Sequence, residues 1–390
     1  MVLLAVIIAY FVSAEVTASV EGIWTPSPAP SPAVYPPPGP AQGGIKGAYW
    51  PSFNSFPVTA IDTSYFTHIY YAFVLPDPDT FEIVINPSDE QMLPEFTCFL
   101  HSQNHPAKAI LSIGGGGDNT TVFSQMVSHP GTRSAFVEST ITAARKYNLD
   151  GLDLDWEFPT NQEDMNNLGV LLSEWRDAIG KEALATRRTP LLLTAAVYYA
   201  STFSLWGEQW TYPGDSIREH VDWINVMSFG YSGAGWQPNN TGAPAALYDP
   251  NSEVSTSSGL QSWVRVGIPP QKVVMGIPLY GCSWQLADPK DHGIGAPAVG
   301  EGPDNGVMLF TVLVDFNEKN NATVIFDAST VSTYSYVGTS WIGYDDGRSV
   351  AAKIEYAKSS DHGGYFFWAL GYDKDWNISK QGMIIIELIL

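Results

Sequence analysis

Between residues 45 and 379 the chain alternates short apolar, β-branched runs with longer segments whose apolar positions recur at helical spacing. Strand-like runs fall near 46–50, 67–73, 108–113, 151–156, 191–197, 223–228, 273–278 and 364–368, which makes eight. Helical patterns fit 89–104, 133–147, 162–185, 258–266 and 349–358, and the third of these sets Leu168, Leu171, Leu172 and Trp175 on one face. Strand and helix in regular alternation imply parallel βα units. Eight such strands predict an α/β fold, a (β/α)8 TIM barrel whose working residues sit at the carboxyl ends of the strands. A barrel of this kind takes about 250 residues, fewer than lie between Ile45 and Ser379. The surplus falls between the seventh and eighth strands. There, residues 282–345 carry further β-like runs at 322–326 and 333–337 and read as a small α+β insertion.

The ends do not follow this alternation. Residues 2–12 form an apolar run too short to span a bilayer, followed by Ser13 and Ala14, and residues 1–14 read as a signal peptide cut after Ala14 or nearer Ala18. Residues 15–44, dense in Pro, Ser, Ala and Gly over 25–42, have no apolar period and read as a linker. Residues 45–380 are the barrel, and 381–390 are an apolar tail too short for a membrane helix. Sequons at Asn119, Asn239, Asn321 and Asn377 agree with a chain secreted to the extracellular space or held in the vacuole.

With 45% hydrophobic residues the chain can bury a large core, and 40 acidic against 19 basic residues give a net charge of −21. Such a charge argues against nucleic acid or an anionic membrane as partner. A neutral polymer fits better. Thirteen Trp and nineteen Tyr suit a sugar polymer in particular, because sugar rings present apolar faces to aromatic platforms. The seven His show no metal-ligand spacing, and the glycines at 114–117 are not followed by the Lys and Ser or Thr of a phosphate loop. No metal, no cofactor and a monomer are expected.

The chemistry concentrates at Asp150-Gly151-Leu152-Asp153-Leu154-Asp155-Trp156-Glu157-Phe158-Pro159. Side chains alternate along a strand, so Asp153, Asp155 and Glu157 share one wall while Leu152, Leu154 and Trp156 face the other way. Three carboxylates ionised within a few ångström repel, and the arrangement favours at least one keeping its proton near neutral pH. A carboxylic acid in that state can protonate the leaving oxygen of a glycosidic bond. A solvated acidic strand end would not carry Leu, Leu and Trp on its other face, and the liganding spacing of an EF-hand is missing. Asp150 has the wrong parity for that wall and reads as a structural strand-start residue.

This run matches the DxxDxDxE signature of glycoside hydrolase family 18, and the chain resembles the plant class V chitinases of that family. Eight supporting motifs stand in the family's order: KGAYW at 46–50, THIYYAF at 67–73, LSIGG at 111–115, LLLTAAV at 191–197, INVM at 224–227, GIPLYG at 276–281, WIGYDD at 341–346 and GYFFWAL at 364–370. The resemblance implies a substrate-assisted retaining mechanism on chitin or chitooligosaccharides, the exception to two-carboxylate schemes. In it Glu157 is the general acid, Asp155 holds the substrate's acetamide N–H, and Asp153 shares a proton with Asp155. It also implies that Trp368 floors the sugar subsite at the cleavage point. Tyr49 and Phe73 are inward candidates and Trp284 is a candidate platform, each open between core and site; Gly114 and Gly115 would let backbone pack closely beneath. The family pattern puts Cys98 on an early helix and Cys282 at the end of a late strand, so no disulfide is expected.

The resemblance breaks after the sixth strand. Where the family usually reads Met-x-Tyr-Asp-x-Tyr, this chain reads Met227-Ser228-Phe229-Gly230-Tyr231-Ser232. Phe229 lacks a hydroxyl that would hold the reacting carbonyl, and Gly230 lacks a sugar-contacting carboxylate. Losing one preorganised donor typically costs about 10²–10³ in rate, a handicap that Tyr231 would offset only if it turned into the site. Two classes follow: a hydrolase of β-1,4-linked N-acetylglucosamine chains, slowed or narrowed, and a chitin-oligosaccharide-binding lectin on the same barrel.

Overall fold

The computed structural model describes residues 44–117, 120–205 and 208–382. The segments read as signal peptide and linker, up to residue 43, the sequon at Asn119 and the segment beyond residue 382 lie outside the described residues.

Eight parallel strands close into a barrel: β1 Ile45–Pro51, β2 His68–Pro76, β3 Lys108–Gly114, β4 Gly151–Asp155, β5 Leu192–Val197, β6 Trp223–Val226, β7 Val273–Pro278 and β8 Gly364–Trp368. Each pairs with the next in chain order, and β8 pairs with β1 to close the ring. Val, Ile, Leu and aromatic residues dominate these runs because both faces are covered, one by the barrel interior and one by helices. The helices include Pro87–Ser102, Pro130–Lys146, Gln162–Thr186, Thr256–Arg265 and Gly347–Ser359. Leu168, Leu171, Leu172 and Trp175 of the third are buried on the strand layer.

Alternation along β4 sorts its side chains as expected. Leu152 and Leu154 enter the large core between strands and helices, and Trp156 stacks on Phe123 with centroids 5.7 Å apart. Asp153 and Asp155 face the interior. Asp150 stays at the opposite end of the barrel, where Lys108 Nζ (2.8 Å), His101 Nε2 (2.7 Å) and the Ala109 amide (2.9 Å) hold it. Its role is to anchor the start of β4.

Between β7 and β8 the chain builds a second, antiparallel sheet, ordered Ala298–Glu301, Tyr280–Leu286, Ser340–Tyr344, Ser332–Val337, Thr323–Asp327, with Val307–Leu309 also paired to Tyr280–Leu286. Helix Phe310–Asn320 completes this α+β unit. Its own core gathers Cys282, Trp284, Tyr334 and Trp341. Cys282 thus lies within a strand of the insertion, and it and Cys98 on helix Pro87–Ser102 are both free thiols.

Candidate active site

The carboxyl ends of the strands carry the site. Asp153 lies deepest, fully buried, with every partner a hydroxyl. Thr194 on β5 donates to Oδ1 at 2.6 Å, while Ser112 on β3 (2.7 Å) and Tyr49 on β1 (2.9 Å) donate to Oδ2. Burial raises the Asp153 pKa by more than the three donors lower it. Asp155 sits above it with no such support. Its Oδ1 is buried without a hydrogen-bond partner among the described residues. Burial first, then the charges of Glu157 and Asp153, push its pKa well above the usual carboxylate range. Glu157, two residues past the end of β4 and half-buried, has its pKa raised by burial to about 7.

Three stacked carboxyls cannot all ionise in so dry a site, so protons are shared between them at neutral pH. The result suits acid catalysis: a protonated Glu157 at the mouth, and beneath it an acceptor whose free oxygen awaits a donor. A buried unpaired acceptor is costly unless something satisfies it. A substrate N–H reaching Asp155 Oδ1 would do so.

An aromatic wall stands beside the acids. Trp368, the last residue of β8, is half-buried and stacks on Phe73 with centroids 5.6 Å apart and planes 18° from parallel. Met227, Phe229, Phe73 and Trp368 are all partly buried and pack on one interior cluster formed by Tyr49, Tyr70 and Phe366. The glycines beneath are required by space. A Cβ on Gly114 would meet the Asp155 carbonyl oxygen at 2.0 Å and one on Gly115 the Phe73 ring at 2.5 Å, and both residues have positive φ. The peptides Ala72–Phe73, Glu157–Phe158 and Trp368–Ala369 are cis, all at the same end of the barrel.

The structure moves three candidate residues out of the cleft. Trp284 is fully buried in the insertion's core, its indole donating to the Gln237 carbonyl at 2.9 Å and its ring edge-on to Trp341, so it offers no sugar platform. Tyr49 is 1% exposed, so it offers sugar no surface; its hydroxyl donates to Asp153 and its ring packs under Trp368, centroids 5.8 Å apart. The Tyr231 hydroxyl pairs with Thr256 at 3.2 Å and its ring packs on Tyr199, so it leaves the place of the absent Phe229 hydroxyl unfilled.

Sequence reasoning passed over Tyr280. It follows β7 within the GIPLYG motif, packs edge-on to Phe229 at 6.4 Å, and its pKa is raised by burial and then by the charges of Cys282 and Glu157. Its position two residues beyond Pro278, at a strand end, was the available signal. Among the described residues no group of three or more His, Cys, Asp or Glu could hold a metal ion.

A closed (β/α)8 barrel with a carboxyl whose pKa burial raises to about 7 over a buried acidic pair, flanked by stacked aromatics, is a glycosidase-type site. The chain belongs to the Glycosyl hydrolases family 18, whose model matches residues 46–373. Class V chitinase CHIT5 of Lotus japonicus is 50% identical over 88% of this chain and 86% of that protein. Nod factor hydrolase protein 1 of Medicago truncatula is 50% identical over 86% of this chain and 88% of its own. A class V chitinase from Nicotiana tobaccum, solved as a mutant in complex with NAG4, is 38% identical, with a TM-score of 0.84 over 87% of this chain and 97% of that one.

Proposed function

We propose that this chain is a secreted hydrolase of β-1,4-linked N-acetylglucosamine oligomers, acting by substrate-assisted retention. The observation that carries the reading is the graded acid stack: Asp153 held by three hydroxyls, Asp155 with one buried oxygen unpaired, and Glu157 poised near pKa 7 at the mouth. Glu157 gives its proton to the glycosidic oxygen as the bond breaks. The substrate's own acetamide oxygen then attacks the anomeric carbon, forming a bicyclic oxazolinium whose N–H is held by Asp155 Oδ1. Asp153, ringed by donors, takes up charge as the shared proton moves to Asp155. Glu157, now ionised, draws a proton from a water that opens the intermediate with net retention. Trp368 and Phe73 provide the apolar wall against which the reacting ring rests.

The relative named a Nod factor hydrolase extends the proposed substrate class to modified chitooligosaccharides. A second reading, an oligosaccharide-binding lectin, is favoured by Phe229 and Gly230, which remove two polar groups from the cleft without disturbing the acids. Turnover and binding of N-acetylglucosamine tetramer, wild type against Glu157→Gln, separate the two. Hydrolysis abolished by the substitution with binding retained supports the enzyme. Binding with no wild-type turnover supports the lectin.

A further inference from the structure

A chain of buried polar groups crosses the barrel interior and ends on Asp153. The Trp223 indole on β6 donates to the Tyr70 hydroxyl at 3.0 Å, and Tyr70 donates to Asn225 Oδ1 at 3.4 Å. Asn225 Nδ2 donates to the Tyr49 hydroxyl at 3.0 Å, and Tyr49 donates to Asp153 Oδ2 at 2.9 Å. Tyr70 and Asn225 are 0% exposed, Tyr49 1% and Trp223 5%, so no bulk water competes for any of these groups.

The direction of this chain is dictated by its first member. An indole N–H can only donate, and a phenol has one proton. Tyr70, having accepted from Trp223, sends its proton onward to Asn225 Oδ1. With Asn225 Oδ1 engaged by Tyr70, its amide nitrogen faces Tyr49. Tyr49, having accepted in turn, has its single proton left for Asp153. The chain thus ends as a donor on the Asp153 carboxylate.

We propose that Asn225 is a positioning residue for hydrolysis: by donating to Tyr49 it fixes the Tyr49 proton on Asp153, keeps Asp153 ionised, and so leaves the shared proton on Asp155, where the reaction needs it. This deepens the hydrolase reading and rests on it. The titratable groups facing the chain are Asp155 and Glu157 from β4 and the turn beyond it, Tyr212 behind those two, Tyr49 and Tyr70, and His68, whose ring lies edge-on to Trp223 at 4.9 Å. Ser112 and Thr194 also face it but do not titrate.

The test is the acidic limb of the kcat/KM profile on N-acetylglucosamine tetramer. Asn225→Leu should move that limb upward by about half a pH unit, since a Tyr49 hydroxyl that no longer accepts from Asn225 is a weaker donor and a weaker donor on an anion raises its pKa, while the alkaline limb set by Glu157 stays in place. Asn225→Asp should do the same, because an acceptor at this position draws the Tyr49 proton away. On a Tyr49→Phe background Asn225→Leu should move the limb no further, and His68→Gln should leave it where it is. Loss of rate at every pH with both limbs fixed, or a shift undiminished without the Tyr49 hydroxyl, overturns the proposal. If the wild type does not turn over, the hydrolase reading fails, and ¹³C titration of the Asp153 carboxyl decides the relay alone. An upward shift in Asn225→Leu that Tyr49→Phe abolishes supports the relay, and an unmoved Asp153 overturns it.

Discussion

Phe73 and Trp368 meet face to face, 5.6 Å between ring centroids, and Gly115 lies so close to the Phe73 ring that a Cβ there would meet it at 2.5 Å. Phe73 is therefore held by contacts with both Trp368 and the Gly115 backbone. Truncating either should weaken binding more than a single lost contact would.

Trp368→Ala is expected to weaken oligosaccharide binding by at least tenfold, about 1.4 kcal/mol. Phe73→Ala should cost less, since Trp368 remains but loses its backing. Calorimetry on the Glu157→Gln background, where no substrate is consumed, reads both. Unchanged affinity in Trp368→Ala would remove it from the site.

Glu157 acts as an acid only while protonated, and burial holds its pKa near 7. The rate should therefore fall as pH rises through about 7, roughly tenfold per unit well above it. A pH–rate profile flat from 6 to 9 would exclude Glu157 as the proton donor.

The same raised pKa costs stability. Glu157 binds its proton more tightly folded than unfolded, so its contribution is complete below the unfolded value, near 4.5, and is lost as pH rises through about 7. Glu157→Gln should accordingly melt at higher temperature than wild type at pH 8.5, by up to about 3 kcal/mol in stability, with the difference vanishing near pH 4. Thermal denaturation at the two pH values checks it. Equal melting at both would mean that the fold carries no penalty at this carboxyl.

The barrel was legible because its strands are buried on both sides and so appear as unbroken apolar runs, all eight near their observed places. The acid wall was legible from parity alone. Parity gives the face of a strand but not the depth, which is why Tyr49, two residues short of the end of β1, read as inward yet stayed open between core and site; the structure buries it. Trp284 was left open between core and site for a related reason. It serves a second core whose existence depends on how the insertion sheet folds on itself, and no local pattern separates a buried Trp there from an exposed one. Helix Phe310–Asn320 escaped notice because Thr, Val and Phe crowd its first turns, a composition that favours strands. Helices Thr120–Ser128 and Gly214–His220 are too short for a clear period.

Phe229 offers the most direct test of the hydrolase. Its ring is partly buried, edge-on to Tyr280 and to Phe366 at 6.2 Å, and the Tyr231 hydroxyl is committed to Thr256. Phe229→Tyr should raise kcat on chitooligosaccharides by about tenfold, since one regained transition-state hydrogen bond is worth about 1.4 kcal/mol or more. KM should change less, because the acetamide oxygen needs holding most as it attacks. Adding Gly230→Asp is expected to bring little beyond the single change. A side chain there would point into open space, but Gly230 has φ +76°, a conformation that a residue with a Cβ adopts only at a cost. Steady-state kinetics of wild type, single and double variants decide the matter. No gain in the single variant over a brisk wild type would mean that another hydroxyl, with Tyr280 the nearest placed, already holds the carbonyl. Tight binding with no turnover in all three would hand the barrel to the lectin reading.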